Sequence, residues 1–163
     1  MRFSILMVSM LLLIGCSSVT LTTSDAKLDK TRVMAVDSFA NYTEVPMAGY
    51  RAAAMVDAAL LNRGYTSKTI YTSPNEEYLK PNPPLSDRLD RARKISADYL
   101  MSGEVIEWRY KTGIDGEPAV SLVVRVYDVN TGAIVYSATA SKSGFGYSSV
   151  GVAAQDVITS MIH

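Results

Sequence analysis

Three residue types are almost missing from this chain of 163 residues, which holds one cysteine, one histidine and one tryptophan. A single cysteine cannot form an internal disulfide, so the fold must be held by burial of a core, and a chain of this length can bury one. The only histidine, His163, is the last residue, where a fraying terminus gives an imidazole no fixed geometry for catalysis or metal binding. Neither sign of charge is in excess, since Lys+Arg and Asp+Glu both count 16. The cations are scattered instead of forming a stripe with interleaved aromatics, which argues against nucleic acid as a partner. Gly113-Ile114-Asp115-Gly116 and Gly144-Phe145-Gly146 lack the strand, spacing and following helix of a phosphate loop, so both read as turns. The carboxylate pairs Glu76–Glu77 and Asp87–Asp90 are explained by loop solvation and by the positive end of a helix. With no nucleophile beside a base, no metal cluster and no cofactor loop, the composition favours binding or assembly over catalysis.

What is present begins with a charged start, Met1-Arg2, and an apolar run from Ile5 to Ile14. The run is shorter than the about 20 residues needed to cross a bilayer, and it reads as a secretory signal occupying residues 1–15. It ends in Leu13-Ile14-Gly15-Cys16-Ser17-Ser18, which resembles the lipobox of bacterial lipoproteins. That resemblance implies cleavage before Cys16, lipidation of its sulfur and, because Ser17 is not Asp, sorting to the outer membrane facing the periplasm. Residues 16–30 then form a lipidated N-terminus and a Ser/Thr-rich tether, and residues 31–163 a single periplasmic domain.

Within that domain the clearest signal is a meander. Ala97 to Tyr110 alternates, with Leu100, Ser102, Glu104, Ile106, Trp108 and Tyr110 expected on one face and Tyr99, Met101, Gly103, Val105, Glu107 and Arg109 on the other. Ala119 to Asp128 is almost continuously β-prone, which places it in the sheet's interior. Asp128 to Gly132 supplies a turn in which Asn130 and Gly132 tolerate positive φ, and Ala133 to Ser141 follows as the third strand. Upstream, Thr31 to Ala40 and Tyr65 to Thr72 read as strands around a helix from Ala48 to Arg63, whose Ala52, Met55, Val56, Ala59 and Leu60 share one face. A second helix is expected from a Ser86 cap to about Ala97, after a proline-rich loop over residues 73–84. A third runs from Ser149 to Met161, with Val150, Ala153, Ala154, Val157 and Met161 inward. The expectation is therefore an α+β fold, a mixed five-stranded sheet flanked by three helices in the order β-α-β-α-β-β-β-α. Its first three strands should be parallel and its last three antiparallel.

Two groups remain after the scaffold is assigned. Trp108 either caps the core or reaches the lipid headgroup region, and Phe145, between two glycines, is the better candidate for membrane contact. Asp115 and Glu117 are either a solvated turn or part of an acidic rim that faces a cationic ligand.

The succession RVMAVDSFAN, an alanine-rich helix, RGY, ISADYLMSGEVIEWRY, VSLVVRVYDVNTGAIVYS and a closing helix resembles the small periplasmic lipoproteins related to the curli-secretion lipoprotein and to TolB N-terminal folds. Glu107 to Lys111, then Asp115-Gly116-Glu117-Pro118, and the Ser143-Gly144-aromatic segment are similar to the Pel exopolysaccharide-export lipoproteins, the PelC family. The resemblance runs from Thr31 to Ile162. It implies a non-enzymatic ring of identical subunits on outer-membrane lipid beside a Pel porin, with an acidic side that guides a cationic polysaccharide. In the curli-secretion relative each subunit adds membrane-spanning hairpins of about 9–11 residues per strand, and this chain has no spare segment for them. The competing reading is a lipoprotein activator of a periplasmic cell-wall synthase, a class that commonly needs a longer tether than residues 17–30 provide.

Overall fold

The computed structural model describes residues 18–71, 83–111, 116–144 and 148–162. The signal and lipobox, with Cys16, lie outside these residues, as do Asp115 and Phe145. The described chain runs β1 (Thr20–Thr23), β2 (Val33–Val36), β3 (Ala40–Asn41), α1 (Ala48–Asn62), β4 (Thr66–Thr69), α2 (Leu85–Lys94), β5 (Tyr99–Lys111), β6 (Glu117–Asp128), β7 (Ile134–Ser143) and α3 (Val150–Met161).

These strands make one seven-stranded sheet in the order β1-β7-β6-β5-β2-β4, with β3 also paired to β5. Strands β2, β4 and β5 are mutually parallel where they pair, and β5, β6 and β7 are antiparallel, as helical crossovers and short turns dictate. The α+β class, the three helices and the mixed sheet agree with the sequence. The strand count does not, because seven strands form where five were expected. The fifth to seventh strands of the chain are the meander; the additions are β1 and β3. Thr20–Thr23, expected as tether, pairs antiparallel with β7, Thr20 opposite Ser141 and Thr23 opposite Ala138. Its polar residues hid it, since an edge strand needs only one inward apolar residue, here Leu21. Ala40–Asn41 is too short to leave a periodic signal.

The sheet separates two cores. Helices α1 and α3 cover one face, where Met34, Val36, Met101, Val105, Leu122 and Val124 from the strands meet Val56, Leu60, Val157 and Ile158. On the other face α2 places Leu89 and Ala92 against Ala35, Leu100 and Val129, leaving most of β6, β7 and β1 uncovered on that side. The second helix starts one residue before the expected cap, with Pro84 at the N-cap position and no side-chain cap; Ser86 lies inside it and bonds Asp87 at 3.2 Å. Ser149 does cap α3, accepting from Val152 N at 3.2 Å. In the β6–β7 turn, Asp128 Oδ1 accepts from the backbone of Asn130 and Thr131 at 3.0 and 2.9 Å. Only Gly132 there has positive φ, 71°, so Asn130 is used for its position after an Asp cap and not for left-handed freedom.

Candidate functional site

The end of the meander farthest from α2 gathers the residues singled out in the sequence. Strands β5 and β6 pair from Tyr99 opposite Asp128 to Lys111 opposite Glu117, with one irregularity between Val105 and Glu107. That bulge makes Ile106 the extra residue, and it reverses the parity of everything after it. Before the bulge the odd residues Met101 and Val105 face the helices; after it Trp108 does, opposite Val120. Trp108 is accordingly 6% exposed and part of the main core. This corrects the grouping of Trp108 with Leu100 and Glu104 on one face, and it corrects Trp108 as a membrane contact: the core-capping alternative is the one the burial supports. The bulge has no local marker, neither glycine nor proline, so alternation alone could not reveal it.

Among the described residues, the exposed aromatic at this end is Tyr110, at 51%. Its hydroxyl donates to Ser148 O at 3.2 Å, tying the end of β5 to the approach of α3. A second tie is Gly144 N donating to Pro118 O at 2.7 Å. A Cβ on Gly144 would stand 2.5 Å from Pro118 Cγ, so glycine is required here by close approach. Tyr110, Pro118, Gly144 and Ser148 are thus held against one another at one end of the sheet. Glu117, half-buried, opens β6 at the same end. Arg109 Nε donates to Glu107 Oε1 at 3.0 Å beside it. Ile106 itself is 47% exposed and adds apolar surface on the uncovered face, next to Tyr42, whose backbone N–H donates to Val105 O at 3.0 Å. Neither Ile106 nor Tyr42 was identifiable from sequence, because their exposure comes from the bulge and from β3.

Three carboxylates elsewhere are held by cationic partners. Asp37, 1% exposed, accepts from Arg88 at 2.7 Å and from Arg91 at 3.3 Å, pinning the end of β2 to α2. Glu104 and Arg125 pair across β5 and β6 at 2.6 Å, and the bonded carboxylate strengthens the guanidinium's hold on its proton. Asp128 is held below the usual carboxylate range, first by the Thr131 backbone N–H, with further bonds from Thr131 and Asn130 and the charge of Arg32. Among the described residues no group of three or more His, Cys, Asp or Glu could hold a metal, and no helix is long and apolar enough to cross a membrane. What the site offers is shape: a rim of aromatic, apolar and acidic residues at one end of a rigid sheet, suited to contact with other surfaces.

Comparison with known proteins bears on what those surfaces are. No protein-family model matches the sequence, and no curated protein matches it. Among solved structures the chain is similar to the PelC dodecamer of Paraburkholderia phytofirmans, with 34% identity over 88% of this chain and 94% of that one and a TM-score of 0.75. A single-substitution variant of that dodecamer in another crystal form gives 33% identity, 88% and 95% coverage and the same TM-score. The lipoprotein GNA1162 of Neisseria meningitidis shares the fold at 18% identity, covering 78% of this chain and 95% of that one, with a TM-score of 0.51.

Proposed function

The chain belongs to the PelC family, and we propose that it is a non-enzymatic lipoprotein of the outer membrane whose copies close into a ring supporting export of a cationic exopolysaccharide through a partner porin. The observation that carries this reading is the 34% identity to a PelC dodecamer over nearly the whole of both chains. A closed ring requires one heterologous interface whose rotation returns to its start. Lipid on Cys16, at about 0.8 kcal/mol per buried methylene, supplies the anchor. Phe145 and Tyr110 are the aromatic contacts at the rim, while Asp115 and Glu117 are the acidic side that meets the polymer.

The short lead into β1 supports an outer-membrane position. With Thr20 already paired in the sheet, three residues separate it from Cys16, a reach of about 14 Å for four steps of the chain. A cell-wall synthase activator working from that anchor would fall far short of a distant partner.

Native mass measurement of the lipidated chain in nanodiscs tests the ring: one closed assembly is expected, and a strict monomer in lipid would sink the reading. Cys16→Ala should keep the fold and release the protein from the membrane fraction. Neutralising Asp115 and Glu117 together should weaken binding of a cationic polymer in a salt-dependent way, and unchanged binding would return them to a solvated turn.

A further inference from the structure

After β1 the chain continues as a strap across the end of the sheet. Ser24 N donates to Ser137 O at 2.9 Å, Leu28 packs on the main core, and Lys30 Nζ donates to Arg63 O at 2.9 Å while lying 5.2 Å from the Tyr65 ring centre. Between this strap and the body lies a cavity of about 430 Å³, inside the roughly 300–1,000 Å³ range of small-molecule sites. Its floor is apolar but nearly closed: Leu60 from the end of α1, Met101 from β5 and Met161 from the end of α3 are 0–1% exposed and Ile162 4%, so a guest reaches them only as the strap moves aside. The Tyr136 hydroxyl at its edge is already committed, donating to Met161 O and accepting from Thr23 Oγ1, so the floor offers a ligand little to bond. Two of the floor residues are methionines, whose unbranched, polarizable side chains adapt to a flexible guest.

Charge is confined to the strap. Asp25, Lys27 and Lys30 border the cavity, leaving it one net positive charge. Lys30 is held by its carbonyl and ring contacts, whereas Lys27 is exposed and has no ion-pair partner among the described residues. An apolar floor with a free cation at the mouth is complementary to a molecule with an apolar body and one anionic end. We propose that this cavity binds a single-chain amphiphile: with the strap displaced, an unbranched acyl chain lies over Met101 and Met161 with its anionic head against Lys27. The strap begins eight residues after Cys16, so the lipid-anchor reading would keep the mouth near membrane lipid; the binding itself does not need that reading, and the test removes the anchor.

The full chain carrying Cys16→Ala, labelled at methionine methyl groups, is titrated with palmitate, lysophosphatidylglycerol and neutral hexadecanol while methyl resonances are followed. Saturable shifts are expected at Met101 and Met161, with Met55, in the groove between α1 and α3 and not at the cavity, unmoved. Either anion should bind more tightly than hexadecanol, and which of them binds identifies the head as a free carboxylate or a phosphodiester. Lys27→Glu should weaken the anions by about two- to fivefold, the worth of one exposed ion pair, and leave hexadecanol unchanged. Ala26→Phe, which fills the cavity from the exposed strap without touching the core, should abolish the shifts for all three. Unsaturable shifts, or shifts that include Met55, would overturn the site; hexadecanol binding as tightly as both anions, with no effect of Lys27→Glu, would overturn the assigned head.

Discussion

On one face of the sheet α1 and α3 lie together over Met34, Met101, Val105, Trp108, Leu122 and Val124; on the other, α2 alone covers Ala35, Leu100 and Val129. The first face is closed by apolar packing across three long strands, β5, β6 and β7, and the shorter β2. The second is fastened at one end by the Asp37 carboxylate between Arg88 and Arg91, and farther along by Glu104 with Arg125 and by the paired hydroxyls of Ser121 and Ser141 at 2.9 Å. Stability therefore resides mainly on the helical face, and the other face is left as surface. An antiparallel sheet tolerates this because one side can remain in water.

The largest test of this division is removal of the bulge. Deleting Ile106 forces either a register slip or rotation of Trp108 to the uncovered face. A loss of about 3–5 kcal/mol is expected, as for other removals of a buried large aromatic, with a red shift in the emission of this one tryptophan; unchanged emission would show that the bulge does not set the burial. Next are neighbours on opposite faces of β6. Leu122→Ala should cost about 3–4 kcal/mol by denaturant unfolding and Val123→Ala about 1 kcal/mol or less, and equal losses would erase the distinction between the faces. Asp37→Asn keeps the shape while removing the charge shared by two arginines, so a loss of about 2–3 kcal/mol is expected, below the 3–5 kcal/mol of fully buried pairs because both arginines are partly exposed. Glu104→Gln, at a half-exposed pair, should cost less than about 1 kcal/mol.

The smallest effect is in acid. Asp128 has a depressed pKa in the folded chain, so its contribution is present above the ordinary carboxylate value of 3.8 and is lost as pH falls through the folded value. Amide resonances of Asn130 and Thr131 should report loosening of the turn below that range, and Asp128→Asn should remove the transition.

Much of this could be read from the residues. The meander, three helices, parallel-then-antiparallel order and inward faces of α1 and α3 follow from local periodicity, and the structure keeps them. What periodicity missed depends on partners far along the chain. Strand β1 is polar enough to resemble a tether and becomes a strand only because β7 offers a free edge. Trp108 changed sides because the bulge at Ile106 is set by the pairing of β5 with β6 and not by either residue's own preference. At the candidate site the sequence identified the right end of the meander, with Glu117 and the Gly144 junction there, but left Trp108 open between core and surface and passed over Tyr110, the ring that the structure exposes there. Cys16, Asp115 and Phe145 lie outside the described residues, so their roles stand as proposals.

The pairing of β1 with β7 also sets an order of events during synthesis. Ser24 meets Ser137 across 113 residues, so the first strand to be made has its partner among the last. Whether it emerges from the ribosome or, under the secretory reading, from a translocation channel, β1 waits without that partner until the rest of the domain has followed. Contacts of such high order also close slowly once both strands exist. The interval is tolerable because Thr20, Thr22 and Thr23 keep the waiting segment soluble: the polarity that disguised β1 as a tether is the property that lets it be made first and folded last.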